Sequence, residues 1–162
     1  MLPEKLTKAL NKQYTNEFQA AHSYMAMASY FSHLGYKGFA NFWLVQAEEE
    51  REHAMKFYHF LVSSEEQPIL GLLEEPKSNF NSPLEVTQKS LEQEKSVTQN
   101  IHALVDLAKE TNNHPTLNFL QWFIDEQMEE EELFRDMIKK LEGIDVGGDF
   151  FMMLDKECGE RK

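Results

Sequence analysis

Four long segments of this chain carry apolar residues at heptad spacing, and a glutamate interrupts each of these seams near its middle. Residues spaced three and four apart fall on one face of an α-helix, so the seams predict four amphipathic helices. The interrupting residues are Glu17, Glu50, Glu94 and Glu130. In an antiparallel bundle of helices about seven turns long, the helix midpoints come level. The four carboxylates are therefore predicted to meet inside the bundle.

Prolines, glycines and capping residues divide the chain into five predicted helices. The third has the strongest start signal, a capping box in which Ser82 precedes Pro83 and Glu85. Gly35 and Gly143 are the predicted stops of the first and fourth helices. The first helix is predicted from about Glu4 to Leu34, and the second from after Gly38 to about Ser63. The third is predicted from Pro83 to about Thr111, and the fourth from after Pro115 to about Leu141. The fifth is predicted to follow a cap at Asp149 and to end at about Gly159.

Residues 65–81 break the helical pattern with Pro68, Gly71 and Pro76. A connection of this length in a compact domain is long enough to cross the bundle, so the third helix would start from the same end as the second. The sequence thus predicts an all-α fold in one domain, residues 1–162. It is an antiparallel four-helix bundle over about 3–142, with one long crossover between helices 2 and 3. Two placements are open to the short fifth helix, about 149–159: against the bundle, or against the same segment of other subunits.

The charge balance and the cysteine content exclude several classes of function. A formal net charge of -12 argues against nucleic acid and against an anionic membrane surface as partners. Cys158 is the only cysteine, so neither an intrachain disulfide nor a cysteine metal site is available. Charged residues interrupt the segment Met1–Phe31, so we expect neither a secretory signal nor a membrane span there. We expect a soluble cytoplasmic protein.

His53 and Gln127 share a helix face with two of the glutamates, three residues from Glu50 and Glu130 respectively. Buried carboxylates repel one another unless they take up protons or bind cations. An oxygen-rich set with one imidazole suits a pair of iron or manganese ions better than zinc. Glu50 is the predicted bridge, with Glu17 and His53 on one metal and Glu94 on the other. Glu130 and Gln127 line the remaining side of the predicted metal site. Gln127 either ligates weakly or donates a hydrogen bond to bound oxygen or water.

Longer stretches around these residues match a known family. They are Asn16-Glu17, Tyr24, Ala47–His53, Glu94 and Trp122–Glu130, and through them essentially the whole chain resembles the non-haem bacterial ferritins. The resemblance implies a ferroxidase centre in each four-helix subunit, where dioxygen oxidises ferrous iron. It also implies a hollow homo-oligomeric shell of 24 subunits that stores ferric oxyhydroxide.

The resemblance further implies a role for each site residue. Two irons would be held at the centre, the first by Glu17, Glu50 and His53, the second by Glu50, Glu94 and Glu130, with Gln127 close by. Bacterial members can bind a third iron, for which the matching residues are Glu49, Glu126, Glu129 and Glu130. The acidic run from Glu126 to Glu132 can equally be a solvated helix face. Tyr24 lies beside the centre either as an electron donor or as a core residue with a bonded hydroxyl.

Related di-iron proteins fit the sequence less well. A haem-binding bacterioferritin would carry a second Glu-x-x-His where this chain has Gln127 and Glu130, and a methionine where it has Arg51, so no haem is expected. A rubrerythrin would need a cysteine-rich iron domain, and the mini-ferritins place their site between subunits and lack a fifth helix. Two alternatives remain open: a structural bundle whose polar residues fix register, and a di-iron enzyme acting on an organic substrate.

Overall fold

A computed structural model describes all 162 residues and contains five α-helices and no β-strand. The helices are α1 (Glu4–Leu34), α2 (Lys37–Ser63), α3 (Pro83–Glu110), α4 (His114–Leu141) and α5 (Asp149–Gly159). Helix α1 packs against α2 and α3, α3 packs against α4, and α5 packs against α2. The predicted all-α fold, with four long helices and a short fifth, is confirmed. No helix is both long and apolar enough to span a bilayer.

The helix ends agree with most of the predicted signals. The Ser82 side chain accepts a hydrogen bond from the Glu85 amide at 3.1 Å, with Pro83 at the first position of α3. The second half of the capping box differs, because the Glu85 carboxylate accepts from the Asn81 amide instead of the Ser82 amide. Gly35 and Gly143 have φ angles of 84° and 74°, the left-handed conformation in which glycine ends a helix.

Three predicted boundaries were wrong by one or two residues. Helix α4 begins at His114, since the Asn113 side chain caps it by accepting from the Thr116 amide at 3.0 Å, and Pro115 fits the first turn. Asp149 is the first residue of α5 and provides no side-chain cap. Helix α2 begins at Lys37, two residues before the predicted start.

The start of α2 is fixed by α5, which lies against it. The Asp155 carboxylate accepts a hydrogen bond from the Phe39 amide at 2.9 Å, so a residue of α5 satisfies a free N–H in the first turn of α2. A Cβ atom at Gly38 would lie 1.6 Å from the Asp155 carbonyl oxygen. Gly38 is therefore a point of backbone contact inside α2 and not a residue that precedes it.

The crossover runs along α1 and is held by a ladder of side chains on that helix. The amides of Ile69, Gly71 and Glu74 donate to the side-chain oxygens of Asn11, Thr15 and Gln19, at 2.6, 2.9 and 2.6 Å. These three acceptors are spaced four residues apart on α1, so the crossover follows the helix axis. It thereby carries the chain back along the bundle, and α3 starts at the same end as α2, as predicted.

Two apolar clusters form the core, and the polar seam residues lie between them along every long helix. One cluster contains Tyr24, Phe31, Trp43, Phe134 and Phe151, and the other contains Leu10, Phe57, Ile101, Leu120 and Phe123. On α1 the sequence order is apolar cluster, Glu17, apolar cluster, and the other three helices repeat it around their own glutamates. The interior is thus a polar layer between two apolar ones.

Helix α5 has one buried and one exposed apolar face. Phe151, Leu154 and Cys158 are buried against the bundle, whereas Phe150 and Met153 are 75% and 66% exposed. Of the two placements left open by the sequence, the helix takes the one against its own bundle. The second face stays free within a single chain.

We expect Gly38→Ala to destabilise the protein by about 1–3 kcal/mol, because the added Cβ forces α5 away from α2. The intrinsic preference of helices for alanine, about 0.5–1 kcal/mol, acts in the opposite direction and is the smaller effect. Thermal or urea unfolding measures the difference, with the exposed neighbour variant Lys37→Ala as control. A Gly38→Ala protein as stable as the wild type would contradict the close contact.

Candidate metal centre

The long helices each place a predicted ligand in the polar layer, and all of these side chains are buried. None is more than 4% exposed: Glu17, Glu50, His53, Glu94, Gln127 and Glu130. Glu17 comes from α1, Glu94 from α3, and the remaining residues from α2 and α4. The structure therefore brings together the residues that the seam pattern selected.

The ligand atoms of these residues form two overlapping triads. Glu17, Glu50 and His53 make the first triad, and Glu50, Glu94 and Glu130 make the second, each with its ligand atoms within 4.8 Å of one another. Metal–ligand bonds of about 2.0–2.2 Å put the atoms around one cation up to about 4 Å apart, so each triad has nearly the size of a single-ion site. Glu50 belongs to both triads, which is the position of a bridging carboxylate.

Two buried carboxylate oxygens in the first triad have no hydrogen-bond partner, Glu17 Oε2 and Glu50 Oε1. The other oxygen of Glu17 accepts a 2.8 Å hydrogen bond from Gln13, and the other oxygen of Glu50 lies 3.2 Å from His53 Nδ1. A buried acceptor without a donor is costly. A cation between the two residues would satisfy both oxygens, so the donor set fits a metal ion.

Neutral side chains orient the remaining carboxylates. The Tyr24 hydroxyl donates to Glu94 Oε1, and Gln127 Nε2 donates to Glu94 Oε2 at 3.1 Å and to Thr98 Oγ1 at 3.2 Å. Gln127 therefore acts in this structure as a hydrogen-bond donor to a ligand candidate. Gln46 Nε2 donates to Glu130 Oε2 at 2.5 Å.

Burial is the largest influence on the pKa values of the four glutamates. It raises the pKa of Glu17 and Glu94, and it raises the pKa of Glu130 to about 8. The pKa of Glu50 is raised well above its usual range by burial and then by the charges of Glu94 and Glu17. Without a cation, the cluster therefore holds protons near neutral pH. A cation must displace these protons to bind.

His53 lies between two carboxylates, with Nδ1 toward Glu50 and Nε2 at 3.6 Å from Glu126 Oε1. Burial lowers the pKa of His53, but the nearby Glu126 carboxylate and the charges of Glu17 and Glu130 outweigh it, so the net shift is upward. The same contact lowers the pKa of Glu126. A carboxylate on one ring nitrogen orients the other nitrogen toward a metal.

The residues expected at a third iron are dispersed. Glu126 forms a triad with His53 and Glu130, adjoining the other two. Glu49 pairs with Arg161, whose Nη2 is 3.0 Å from Glu49 Oε2, and Glu129 is exposed and belongs to no triad. Part of the acidic run is structural, because Glu131 accepts a 2.8 Å hydrogen bond from Thr98.

Sequence reasoning gave no role to Gln13 or Gln46, although both are buried and each bonds a predicted ligand. A usable signal was present, because each glutamine lies four residues before a seam glutamate, Gln13 before Glu17 and Gln46 before Glu50. Amides at that spacing share the inward face of the helix. Trp122, the first residue of the stretch Trp122–Glu130 that carries the resemblance, meets the His53 ring edge-on with 5.3 Å between ring centroids.

The sequence profile of the family described as "Ferritin-like domain" matches residues 7–144, most of the chain. The chain belongs to the ferritin family. A protein named bacterial non-heme ferritin from Staphylococcus epidermidis is 42% identical over 161 residues, which cover 99% of this chain and 97% of that protein. The protein of the same name from Staphylococcus aureus is 40% identical over 99% of this chain and 97% of its own length. The resemblance to the non-haem bacterial ferritins is confirmed.

Solved ferritin structures share the fold of this chain closely. The open-pore ferritin of the hyperthermophilic archaeon Archaeoglobus fulgidus superposes with a TM-score of 0.96, at 40% identity and with 100% of both chains covered. A humanized archaeal ferritin gives a TM-score of 0.98 at 39% identity, covering 100% of this chain and 98% of that one. This ferritin chain therefore has the five-helix architecture of its family.

The raised carboxyl pKa values predict how the metal-free ferritin responds to pH. A carboxyl whose pKa is higher in the folded chain stabilises the fold at low pH, and this contribution is lost as the pH rises toward the folded pKa. For Glu130 the window runs from about 4.5 to about 8. We expect the thermal midpoint of chelator-treated protein to fall across this window, and a divalent cation to restore it.

Glu50→Gln removes a buried ionisable group, and the glutamine side chain has nearly the same size and shape as the glutamate it replaces. We expect it to stabilise the metal-free protein at pH 8 by about 1–3 kcal/mol while weakening metal binding. The control is Glu48→Gln, which neutralises an exposed glutamate two positions away. A Glu50→Gln protein that is less stable than the wild type at pH 8, without metal, would contradict the pKa assignment.

Proposed function

We propose that this chain is an iron-storage ferritin with ferroxidase activity, in which an intrasubunit di-iron centre oxidises Fe(II) with dioxygen. The observation that carries the proposal is the pair of buried triads that share Glu50, enclosed between two apolar clusters. A purely structural bundle has no use for four buried carboxylates whose pKa values are all raised. Membership of the ferritin family supports the same conclusion.

The two irons are substrates at two positions. Glu17, Glu50 and His53 hold the first, and Glu50, Glu94 and Glu130 hold the second. The unpartnered oxygens of Glu17 and Glu50 supply negative charge to the first position without any rearrangement of their hydrogen bonds. Carboxylate oxygens are hard ligands and favour the ferric over the ferrous state, which assists loss of an electron from each iron.

The remaining polar residues keep the ligands in place. Gln13, Gln46 and Gln127 donate to Glu17, Glu130 and Glu94 respectively, and each bond restrains a carboxylate that would otherwise move. Tyr24 donates to Glu94 from the apolar side, and burial raises its pKa well above the usual range. Tyr24 is therefore a neutral phenol in contact with a ligand, close enough to deliver an electron or simply to orient Glu94.

A third iron bound by Glu49, Glu126, Glu129 and Glu130 stays a prediction. The short distance between His53 and Glu126 supports an extension of the centre in that direction. Haem is not part of the proposal, because the ligand set is made of carboxylates and one imidazole.

Storage requires an enclosed space, and we propose that the chain assembles into a hollow cytoplasmic shell of 24 identical subunits. The exposed apolar face of α5, with Phe150 and Met153, is suited to contact with other copies of the chain. The product of oxidation is then kept as ferric oxyhydroxide inside the shell.

The storage proposal is tested by aerobic loading of the metal-free protein with ferrous iron, followed by a sizing column that reports iron and protein together. We expect iron to travel with a large particle at hundreds of atoms or more per assembly. Iron that stops at about two atoms per chain in a small oligomer would instead indicate a di-iron enzyme on the same bundle.

The ligand assignment is tested by Glu50→Ala and His53→Ala. We expect each to slow rapid iron oxidation by more than the roughly 10–100-fold that loss of an outer-shell partner typically costs, with assembly intact. Glu52→Ala and His59→Ala are the controls, because both side chains are exposed on the same helix. Rapid stoichiometric oxidation by either ligand variant would refute the assignment.

A further inference from the structure

The C-terminal tail folds back along α2 and places the Arg161 guanidinium on one stripe of that helix. Its Nη1 donates to the Phe42 carbonyl at 3.2 Å, and its Nη2 donates to Gln46 Oε1 at 2.9 Å and to Glu49 Oε2 at 3.0 Å. The guanidinium also lies over the Phe42 ring, 4.3 Å from its centroid. Asn41 holds the tail itself by donating to the Arg161 carbonyl at 2.8 Å. This penultimate residue is therefore firmly held.

Gln46 connects this contact to the candidate metal centre. Its side chain is fully buried, its oxygen accepts from Arg161, and its nitrogen donates to Glu130 Oε2 at 2.5 Å. A guanidinium can only donate, and Glu130 Oε2 accepts the amide N–H whether Glu130 is ionised or carries its proton on the other oxygen. The two partners together permit only one orientation of the amide, with oxygen toward Arg161 and nitrogen toward Glu130.

We propose that Arg161 is a positioning residue of the metal centre, which acts on Glu130 through the amide of Gln46. The proposal rests on the proposed function, because it takes Glu130 as a ligand of the second metal. Gln46 occupies one oxygen of Glu130 and leaves the other for a cation. Without Arg161 the Gln46 oxygen loses this donor, and only the hydrogen bond to Glu130 still holds the amide. The amide that restrains Glu130 would then be anchored at one end only, and Glu130 would lose its fixed position.

The same guanidinium ties the centre to the docking of α5. Arg161 lies two residues after the end of α5, and α5 is held by the hydrogen bond from the Phe39 amide to Asp155 and by the packing of Gly38. Any movement of α5 away from α2 therefore pulls the Arg161 guanidinium away from the Gln46 side chain. Glu49 is released by the same movement. The C-terminus thus controls the orientation of one ligand and the freedom of a second acidic residue.

Calorimetric titration of the assembled, metal-free protein with Zn²⁺ tests the proposal without relying on oxidation. The wild type is expected to bind two cations per chain. Arg161→Ala should weaken one of the two sites about 3–10-fold and leave the other unchanged, a smaller effect than the 10–100-fold typical of a direct outer-shell partner. Lys162→Ala is the matched control, since it removes the neighbouring cation at the exposed C-terminus.

A double-mutant cycle separates positioning from a general structural role. Gln46→Met keeps the volume of the side chain but removes its donor, and should weaken the same site about 10-fold or more. If Arg161 acts through Gln46, adding Arg161→Ala to Gln46→Met should cause no further loss of affinity. Additive losses, or equal weakening of both sites, would overturn the proposal.

Arg161→Lys provides a version of the test that preserves the charge. A single ammonium cannot reproduce the planar fork, so this variant should show a loss at the same site that is smaller than that of Arg161→Ala. Affinities equal to those of Lys162→Ala in both arginine variants would refute the positioning role and leave the proposed function intact. A wild-type protein that binds no cation would refute the proposed function itself.

Discussion

Mutual repulsion among four buried carboxylates is the constraint around which this structure is arranged. Glu17, Glu50, Glu94 and Glu130 meet where almost no water reaches, and burial raises the pKa of every one of them. The fold tolerates this layer because two apolar clusters, one on each side, supply the stabilising burial. We propose that this unfavourable layer is retained because it becomes favourable when a cation binds, a trade of stability for function that is common at binding sites.

Glu17, Glu94 and Glu130 have neutral hydrogen-bond partners, whereas Glu50 lies beside His53, and the neutral partners have a chemical consequence. Gln13, Gln46, Gln127 and Tyr24 orient carboxylate oxygens without cancelling their charge. A lysine or arginine in direct contact would satisfy a carboxylate and compete with a metal ion. The Arg161 guanidinium donates to none of these four carboxylates. It donates to Gln46 and Glu49, and it acts on Glu130 only through the Gln46 amide.

Helix identity and helix faces were predictable from the sequence because they depend on residues three and four positions apart. The helix starts that failed depended on distant partners or on a competing local cap. Helix α2 begins where Asp155 of α5 accepts from Phe39, across 116 positions of sequence. At the start of α4, the Asn113 side chain accepts a hydrogen bond from the Thr116 amide, so the helix begins before Pro115 and includes it in its first turn.

The sequence by itself determined which side chains enter the polar layer, since heptad spacing fixes the inward face of each helix and equal helix lengths bring the midpoints level. Only the tertiary structure decided which oxygen of each carboxylate is bonded and which is free, as at Glu17 and Glu50. It also decided that the C-terminus returns to the centre, where Arg161 meets Gln46 across 115 positions. Periodicity reports the direction of a side chain from its own helix axis, whereas hydrogen-bond partners depend on distances between helices that no local pattern encodes.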